Sequence, residues 1–236
     1  MKTMVNCCVV QVMCLLAAVV VRAQLPVPPV QRGFNLAGTR ASTVTVEIFY
    51  DLLCPDSKSN WPVMHKVLDS AVFAADKLGI VMNIFPLPYH HHSTFVSTGF
   101  RAYMARTHDI SKQIDCITKV FELQDDFKTK AVDLSEAALG EKIGKFFATE
   151  CAVDVSDAFT NITTHEMYRE QVVMDWKYAA ARTVCGTPIF TVNGVMDNAV
   201  GNFVSEEQWE SYVRRLLSGE PQSSVHAAAP SRHTTL

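Results

Sequence analysis

The sequence predicts an α/β fold that is interrupted by a helical segment, and three observations support this prediction. A strand, a helix and a second strand follow one another near the N-terminus. A long block with helical patterns alone comes next. Sheet character then returns in a hairpin that leads into a last helix. Two strands that are joined through a helix pair in parallel with a right-handed crossover, so the first unit indicates a βαβ motif.

The βαβ unit begins with residues 44–50, in which apolar side chains alternate at the period of a strand. A helix is predicted to follow to about Leu78, with apolar residues at helical spacing. Pro62 should kink this helix because proline lacks a backbone donor. Gly79 is predicted to close it, as a C-terminal glycine does. The second strand is predicted over Ile80–Phe85, which is mostly apolar.

Residues 94–183 carry helical patterns only and are predicted to be an insert into the α/β unit. Two of its helices are expected to begin at capping boxes, in which two side chains three residues apart bond the exposed N–H groups of the first turn. The predicted helices are Thr94–Arg106, Ser111–Gln124, one from Asp133 with Glu136 to about Thr149, and one from Thr163 with Glu166 to about Arg182.

The C-terminal part returns to the sheet at Ile189–Val192. The dipeptide Asn193-Gly194 follows, which is the strongest short signal for a hairpin turn. Val195–Val200 is therefore predicted to be the returning strand. A further capping box opens the last helix, which should run from Ser205 to about Leu217.

Both ends of the chain have the composition of segments outside a folded core. Residues 1–23 combine a lysine, an apolar run and small residues, which is the pattern of a secretory signal peptide; an uncleaved membrane anchor is the alternative. Residues 24–43 are predicted to be an N-terminal arm, and residues 219–236 a disordered tail. We therefore expect a protein that is secreted or stays in the lumen of the secretory pathway, without a membrane partner after cleavage.

The charge restricts the class of partner, and the cysteine content bears on the possible disulfides. The 236 residues carry a formal net charge of -3 and no basic run, which argues against a nucleic-acid partner. Signal cleavage would leave Cys54, Cys116, Cys151 and Cys185, and an oxidising compartment permits disulfides among them. Four cysteines allow three full pairings, which sequence alone does not rank. Asn161 begins an N-glycosylation sequon.

Cys54 is the candidate nucleophile of the chain. It follows the first strand and precedes Pro55, which suits the first position of a helix because it has no N–H to leave unpaired. A cysteine at a helix N-terminus faces free N–H groups and the positive end of the helix dipole, and both favour the thiolate. Such positions lower the pKa of a thiol from about 8.5 into a range of about 3.5–7.5.

Two motifs give the chain a resemblance to a known family. Residues 49–55 are similar to the strand and Cys-Pro entry of the DsbA-like thioredoxin-fold family, and residues 186–194 are similar to its cis-proline loop and hairpin. Pro62, eight positions after Cys54, stands where thioredoxins carry a kink proline. The resemblance implies a thioredoxin-like fold over residues 44–218, with a helical insert between the second and third core strands.

The resemblance also implies roles for two residues of the second motif. The Thr187-Pro188 bond is expected to be cis, and in this fold the cis-proline loop lies beside the nucleophile. In this family the backbone of the residue before the proline binds the substrate chain. Thr187 and Pro188 are therefore candidate substrate-binding residues.

Ser57 is the main departure from the family pattern. It stands where the family has the second cysteine of Cys-x-x-Cys, and a hydroxyl cannot attack a mixed disulfide. Ser57 could instead donate a hydrogen bond to the Cys54 thiolate. A carboxylate near the sulfur opposes ionisation, so Asp56 and Asp51 would work against it unless they point away.

Other cysteines and histidines leave alternatives open. Cys185 lies three residues before Pro188, where it is either a resolving thiol from outside the motif or a buried structural cysteine. Cys116 and Cys151 either pair within the insert or are separate thiols. The run His90–His92 does not have metal-ligand spacing, so we expect a solvated loop and no metal. A milder hypothesis places one histidine near Cys54 as a base or cation.

Three hypotheses for the function follow. The first is a monothiol thiol-disulfide oxidoreductase or isomerase that acts through Cys54 on a protein or on glutathione. The second is a redox-inactive binding or chaperone-like module of the same fold. The third is a glutathione-dependent transferase or isomerase, since relatives with this fold and a serine in the motif exist. No resident cofactor is expected, and glutathione would act as a co-substrate.

Overall fold

The structure is a computed structural model that describes residues 27–28, 31–70, 73–197 and 199–219. The predicted signal peptide and all of the predicted tail except Gly219 lie outside the described residues. The chain divides into two units between Arg32 and Gly33, and the fold below is that of the unit that begins at Gly33.

A five-stranded sheet with the order β1-β3-β2-β4-β5 forms the centre of this unit. The β2 and β3 strands pair in parallel, which confirms the predicted βαβ motif. The other three pairings are antiparallel. The strands are β1 (Phe34–Ala37), β2 (Val44–Tyr50), β3 (Leu78–Ile84), β4 (Ile189–Val192) and β5 (Val195–Met196).

The β1 strand corrects the prediction of a simple arm over residues 24–43. It pairs with β3 at the edge of the sheet. Glycines with positive φ stand just outside its two ends, Gly33 at 94° and Gly38 at 54°. A Cβ on Gly38 would lie 2.1 Å from the carbonyl oxygen of Leu78. Four residues are too few for a periodic pattern, so this strand depends on a partner that is distant in sequence.

Helix α1 (Pro55–Asp69) is shorter than predicted. It continues across Pro62 but ends at Asp69, and Gly79 lies inside β3 instead of closing the helix. A Cβ on Gly79 would come 2.1 Å from the carbonyl oxygen of Thr39. The glycine is thus required for a close approach of two backbones, and a sequence pattern cannot tell this use from a helix end.

Helices and turns fill residues 85–188, all of which are described, and no strand occurs among them. The predicted capping boxes here are wrong in detail. Ser135 caps α4, with its side chain accepting from Ala138 N, and Asn161 caps α6, with its side chain accepting from Thr163 N and Thr164 N. The helices are α2 (Ser93–Arg106), α3 (Ile110–Glu122), α4 (Glu136–Glu150), α5 (Asp157–Thr160) and α6 (Ile162–Ala180).

The C-terminal hairpin and helix follow the prediction with one exception. Asn193 and Gly194 both have positive φ, as a tight hairpin turn requires. The returning strand ends at Met196, because Val200 is buried in a 3₁₀ turn and not in the sheet. The Ser205 capping box opens α7 (Glu206–Ser218), as predicted.

A disulfide joins Cys116 in α3 to Cys151 at the end of α4. It confirms the alternative in which these two cysteines pair within the insert. Cys116 is buried and belongs to the large apolar core that the helices share with one face of the sheet. The bond therefore ties two helices of the insert together.

Candidate active site

Cys54 caps the N-terminus of α1, and Pro55 is its first residue, as predicted. The side chain is 4% exposed. Its Sγ lies 3.3 Å from the carbonyl oxygen of Thr187, to which the thiol donates a hydrogen bond. The helix start places unpaired N–H groups and the positive end of a dipole next to this sulfur.

The Thr187-Pro188 peptide bond is cis. It reaches Cys54 because β4, which begins at Ile189, pairs with β2, whose Phe49 lies opposite Ile189. The two motifs, which are 133 residues apart in sequence, thus meet at one end of the sheet. This contact between Cys54 and Thr187 is the central feature of the site.

Apolar side chains surround Cys54. They form a small cluster, separate from the large core, between the sheet and the C-terminal half of α6. Trp176 of α6, which is 39% exposed, stacks on Phe85 at a centroid distance of 5.8 Å. The buried members of this Cys54 cluster are Phe49, Cys54, Phe85, Leu87, Ala179 and Val184.

Asp51 is a fully buried carboxylate three residues before Cys54. Its Oδ1 accepts hydrogen bonds from Leu53 N at 2.8 Å and from the hydroxyl of Ser93. Its Oδ2 accepts from Leu87 N at 2.9 Å, and His90 Nδ1 lies 2.6 Å from the same oxygen. These four polar contacts satisfy the buried carboxylate and connect it to the loop that follows β3.

These bonds join the loop that carries Cys54 to the loop after β3. Gln124 holds the Cys54 loop as well, because its Nε2 donates to the carbonyl oxygens of Leu52 at 3.2 Å and Cys54 at 3.3 Å. The backbone around the cysteine is therefore held from two sides. Sequence reasoning treated Asp51 only as a potential opposing charge and did not find Gln124.

The three histidines after β3 have separate roles, which corrects the prediction of a solvated loop. His90 is bound to Asp51, as the milder hypothesis of a histidine near the site expects. His92 is buried, with Nδ1 2.8 Å from the carbonyl oxygen of Phe127, and His91 is exposed. Among the described residues, no three His, Cys, Asp or Glu side chains are grouped so that they could hold a metal.

Ser57 lies in the first turn of α1 and is fully buried. Within the described ranges its Oγ has no hydrogen-bond partner, and the same is true of Thr187 Oγ1. Asp56 is exposed, so its carboxylate is solvated. Two buried hydroxyls near the cysteine are thus available as donors, while the adjacent charge is screened by water.

Cys185 is a free thiol and is exposed, so the alternative of a buried structural cysteine is wrong. It lies two residues before Thr187.

The neighbouring Tyr89 is 69% exposed. Desolvation raises the pKa of the Tyr89 hydroxyl, and negative charge at Cys54, Asp51 and Cys185 raises it further. Tyr89 is therefore close enough to both free cysteines to sense their charge.

Glu47 is a second buried carboxylate, on the face of β2 that points toward α6. It lies 2.5 Å from Arg40 Nη1 and accepts from the hydroxyls of Tyr178 at 3.0 Å and Thr191 at 3.4 Å. Tyr178 also stacks on Phe49 of the Cys54 cluster. Sequence reasoning missed Glu47, although a glutamate within a strand of otherwise apolar and threonine residues was a visible signal.

Comparison with solved structures places this geometry in a known fold. No protein-family profile and no curated protein matches the chain in sequence. A protein from Pseudomonas syringae that is provisionally named a protein-disulfide isomerase is similar with a TM-score of 0.62 and 17% identity, over 75% of this chain and 96% of that one. BdbD from Bacillus subtilis is similar with a TM-score of 0.55 and 20% identity, over 78% and 92%.

A third similar structure is α-DsbA1 from Wolbachia pipientis, with a TM-score of 0.59 and 17% identity, over 83% of this chain and 94% of that one. At these identities the likeness shows the fold. The predicted thioredoxin-like α/β fold is confirmed, and its helical insert lies between β3 and β4, which are the predicted second and third core strands. Among the described residues, no helix is long and apolar enough to span a membrane.

Proposed function

We propose that this protein is a monothiol thiol-disulfide oxidoreductase or isomerase that acts through Cys54. The single observation that carries the proposal is the 3.3 Å contact of Cys54 Sγ, at the start of α1, with the carbonyl oxygen of Thr187 in the cis-proline loop. The names of the similar structures, a protein-disulfide isomerase among them, support the same reaction class. The partner would be a protein or glutathione that carries a disulfide.

The reaction begins when Cys54 loses its proton. Its thiolate attacks one sulfur of the partner's disulfide, forming a mixed disulfide and releasing the other half as a thiolate. The N–H groups at the start of α1 stabilise the attacking charge. The unpaired hydroxyls of Ser57 and Thr187 are the side-chain donors that can turn toward it.

Thr187 and Pro188 are proposed to align the substrate chain. The carbonyl oxygen of Thr187 already faces the reactive sulfur, so an extended peptide that pairs with this backbone would bring its own sulfur to Cys54. The exposed Tyr89 and the half-exposed Trp176 flank the same end of the molecule. Both offer apolar surface to a peptide.

The test is reaction of the purified protein with glutathione disulfide, followed by mass spectrometry of the adduct. We expect glutathione disulfide to oxidise Cys54 in the wild type, through a mixed disulfide with glutathione, and to leave position 54 unmodified in Cys54→Ser. Ser57→Ala should react more slowly, because the thiolate loses a donor, and the slowing should be greatest where the thiolate is scarce, at lower pH. A Cys54 that forms neither a glutathione adduct nor any other disulfide in this reaction would refute the proposal.

A binding module without redox activity is the second candidate, and the low exposure of Cys54 favours it. A cysteine residue that is 4% exposed offers a partner little surface unless its surroundings open. On this hypothesis Cys54→Ser binds disulfide-free client peptides as well as the wild type does, measured by calorimetry. Loss of peptide binding in Cys54→Ser counts against it. The same titration with reduced glutathione tests the glutathione-dependent alternative.

Residence in the secretory pathway is proposed from the predicted signal peptide and from the sequon at Asn161. This asparagine is exposed at the start of α6, where a glycan has space. Its Oδ1 accepts from Thr163 N at 3.0 Å, which leaves the amide nitrogen to carry the sugar. Expression in a glycosylating host should give a band that shifts on deglycosylation and that Asn161→Asp lacks. An unshifted band would remove this part of the proposal.

A further inference from the structure

Two free cysteines lie close to the same loop. Cys54 and Cys185 are the cysteines outside the disulfide in the part of the chain that the structure describes. Cys54 Sγ contacts the carbonyl oxygen of Thr187, and Cys185 is only two residues before Thr187. Two residues span at most about 7 Å of extended chain, so the Cα of Cys185 must lie near the Cys54 contact.

The electrostatics of Tyr89 agrees with this placement. Burial raises the pKa of the Tyr89 hydroxyl, and negative charge at Cys54, Asp51, Cys185 and Asp56 raises it further. Charges that act on one exposed phenol through water must be near it, because salt and solvent screen distant ones. Tyr89, Cys54 and Cys185 therefore form one neighbourhood at the end of the sheet.

The two thiols differ in a way that suits two successive steps. Cys54 is buried at a helix start, whereas Cys185 is exposed on a loop. Val184 is anchored in the Cys54 cluster, and Gly186 on the other side has no heavy atom within 4 Å of a Cβ position. The loop therefore has open space on the Gly186 side. A disulfide needs Cα atoms about 4.4–6.8 Å apart, and movement of this loop would bring Cys185 into that range.

We propose that Cys185 is the resolving thiol for mixed disulfides formed on Cys54. This inference rests on the proposed function. Cys54 thiolate attacks R–S–S–R′, so that Cys54–S–S–R forms and R′S⁻ leaves. Cys185 thiolate then attacks Cys54 Sγ, the bond to R breaks, and RS⁻ leaves while the Cys54–Cys185 bond forms. The substrate disulfide gains two electrons and becomes two thiols, and the two protein thiols supply those electrons.

Cys185 would then take the part of the second motif cysteine, whose position Ser57 occupies. The second thiol would come from the segment that leads into the cis-proline loop, whose Thr187 contacts Cys54. In the reverse direction, the Cys54–Cys185 disulfide would oxidise a dithiol substrate. The same site would then carry out a complete two-electron exchange.

The experiment compares wild type, Cys185→Ser and Cys54→Ser after reaction of the reduced thiols with glutathione disulfide, with acid quenching and non-reducing peptide mapping. The Cys116–Cys151 disulfide is present in all three and serves as an internal standard. We expect a Cys54–Cys185 linked peptide in the wild type. The glutathione adduct on Cys54 should persist at least about tenfold longer in Cys185→Ser, because a tethered thiol competes at an effective concentration near millimolar.

The outcomes separate the two proposals. If the wild type and Cys185→Ser keep the adduct equally long and no Cys54–Cys185 peptide appears, the resolving role is overturned while the monothiol function stands. If neither forms an adduct or a linked peptide, both proposals fail. Cys185 is exposed, so Cys185→Ser should fold, and far-ultraviolet circular dichroism checks this before the kinetics.

Discussion

The two pairs of cysteines lie in surroundings of opposite character. Cys116 and Cys151 are linked in the helical insert, and Cys116 is 1% exposed among apolar side chains of the large core. Cys54 and Cys185 are free at the end of the sheet. Around them lie a satisfied buried carboxylate, two hydroxyls without partners in the described residues, and an exposed phenol.

On the proposed function, polar groups around a sulfur, more than its burial, distinguish a structural cysteine from a reactive one. Cys54 and Cys116 are both almost fully buried. Only Cys54 stands at a helix start with donors nearby, where a thiolate can be stabilised. Cys116 lies within α3, where the helix N–H groups are already bonded.

Removal of the insert disulfide should have the largest effect on stability and little effect on chemistry. The bond closes a loop with a sequence separation of 35, and loop-closure entropy then gives about 4 kcal/mol. We expect Cys116→Ala with Cys151→Ala to lower the free energy of unfolding by about that amount in urea titrations.

The matched control for this change is Cys54→Ala with Cys185→Ala, which removes two thiols without removing a bond. It should lose much less stability and all reaction with glutathione disulfide. If the two double variants lose equal stability, or if the insert variant loses its reaction per folded molecule, the separation of structural and reactive pairs is wrong.

Asp51→Asn should have an intermediate effect that is confined to the reactive region. An amide in this place keeps one acceptor oxygen but turns an NH₂ group toward Leu87 N and His90. A buried donor without an acceptor costs about 1–3 kcal/mol. We expect a loss of that order in unfolding titrations and a slower reaction of Cys54, since the loop that carries it is no longer held.

Asp56→Asn is the control, because it removes the same charge two positions after Cys54 from an exposed side chain. Its free energy of unfolding should stay close to that of the wild type. Equal destabilisation by the two variants would mean that Asp51 acts through charge alone and not through its four hydrogen bonds.

Alkaline pH should reveal the contact between Tyr178 and Glu47 beside the Cys54 cluster, and this is the smallest of the expected effects. Burial raises the pKa of Tyr178, and the nearby Glu47 raises it further. Because its pKa is raised, the folded state holds the Tyr178 proton more tightly than the unfolded state does. The stability that this difference contributes is fully present below about pH 10 and is lost as pH rises through the pKa of Tyr178 in the folded state. The free energy of unfolding should therefore fall above about pH 10.

Tyr178→Phe should reduce this alkaline fall in stability, measured by urea titration at a series of pH values. At neutral pH it should lose about 0.5–1.5 kcal/mol, because Glu47 loses the hydrogen bond from the Tyr178 hydroxyl. Tyr168→Phe serves as a control, since Tyr168 lies at the other end of α6. An identical pH dependence in wild type and Tyr178→Phe would contradict the assignment.

Short-range patterns predicted much of the fold correctly. The β2 strand, the start of α1 at Cys54 and Pro55, the Asn193-Gly194 turn and the Ser205 cap all depend on residues within a few positions of one another. Errors arose where one residue type serves two purposes. Gly79 allows a close approach of backbones in β3 instead of ending a helix, and Asn161 caps α6 in place of Thr163.

The site itself was predicted as a set of residues but not as an arrangement. Its place at a helix start identified Cys54, and the motif resemblance added Ser57, Thr187 and Pro188. The structure shows Cys54 and Thr187 in contact. The hydrogen bonds of Asp51 were not foreseeable. They come from three different segments of the chain, and no spacing in the sequence encodes such a convergence.

Short sequence patterns were enough to predict where a cysteine meets a helix start, where the chain turns, and that a serine replaces the second motif cysteine. Those features depend on backbone preferences that act over a few residues. Three features became visible only in the folded chain: the pairing of Cys116 with Cys151, the exposure of Cys185 beside the site, and the contact of the buried Asp51 with His90. These are contacts between residues far apart in the chain, which exist only after the sheet and the insert have packed.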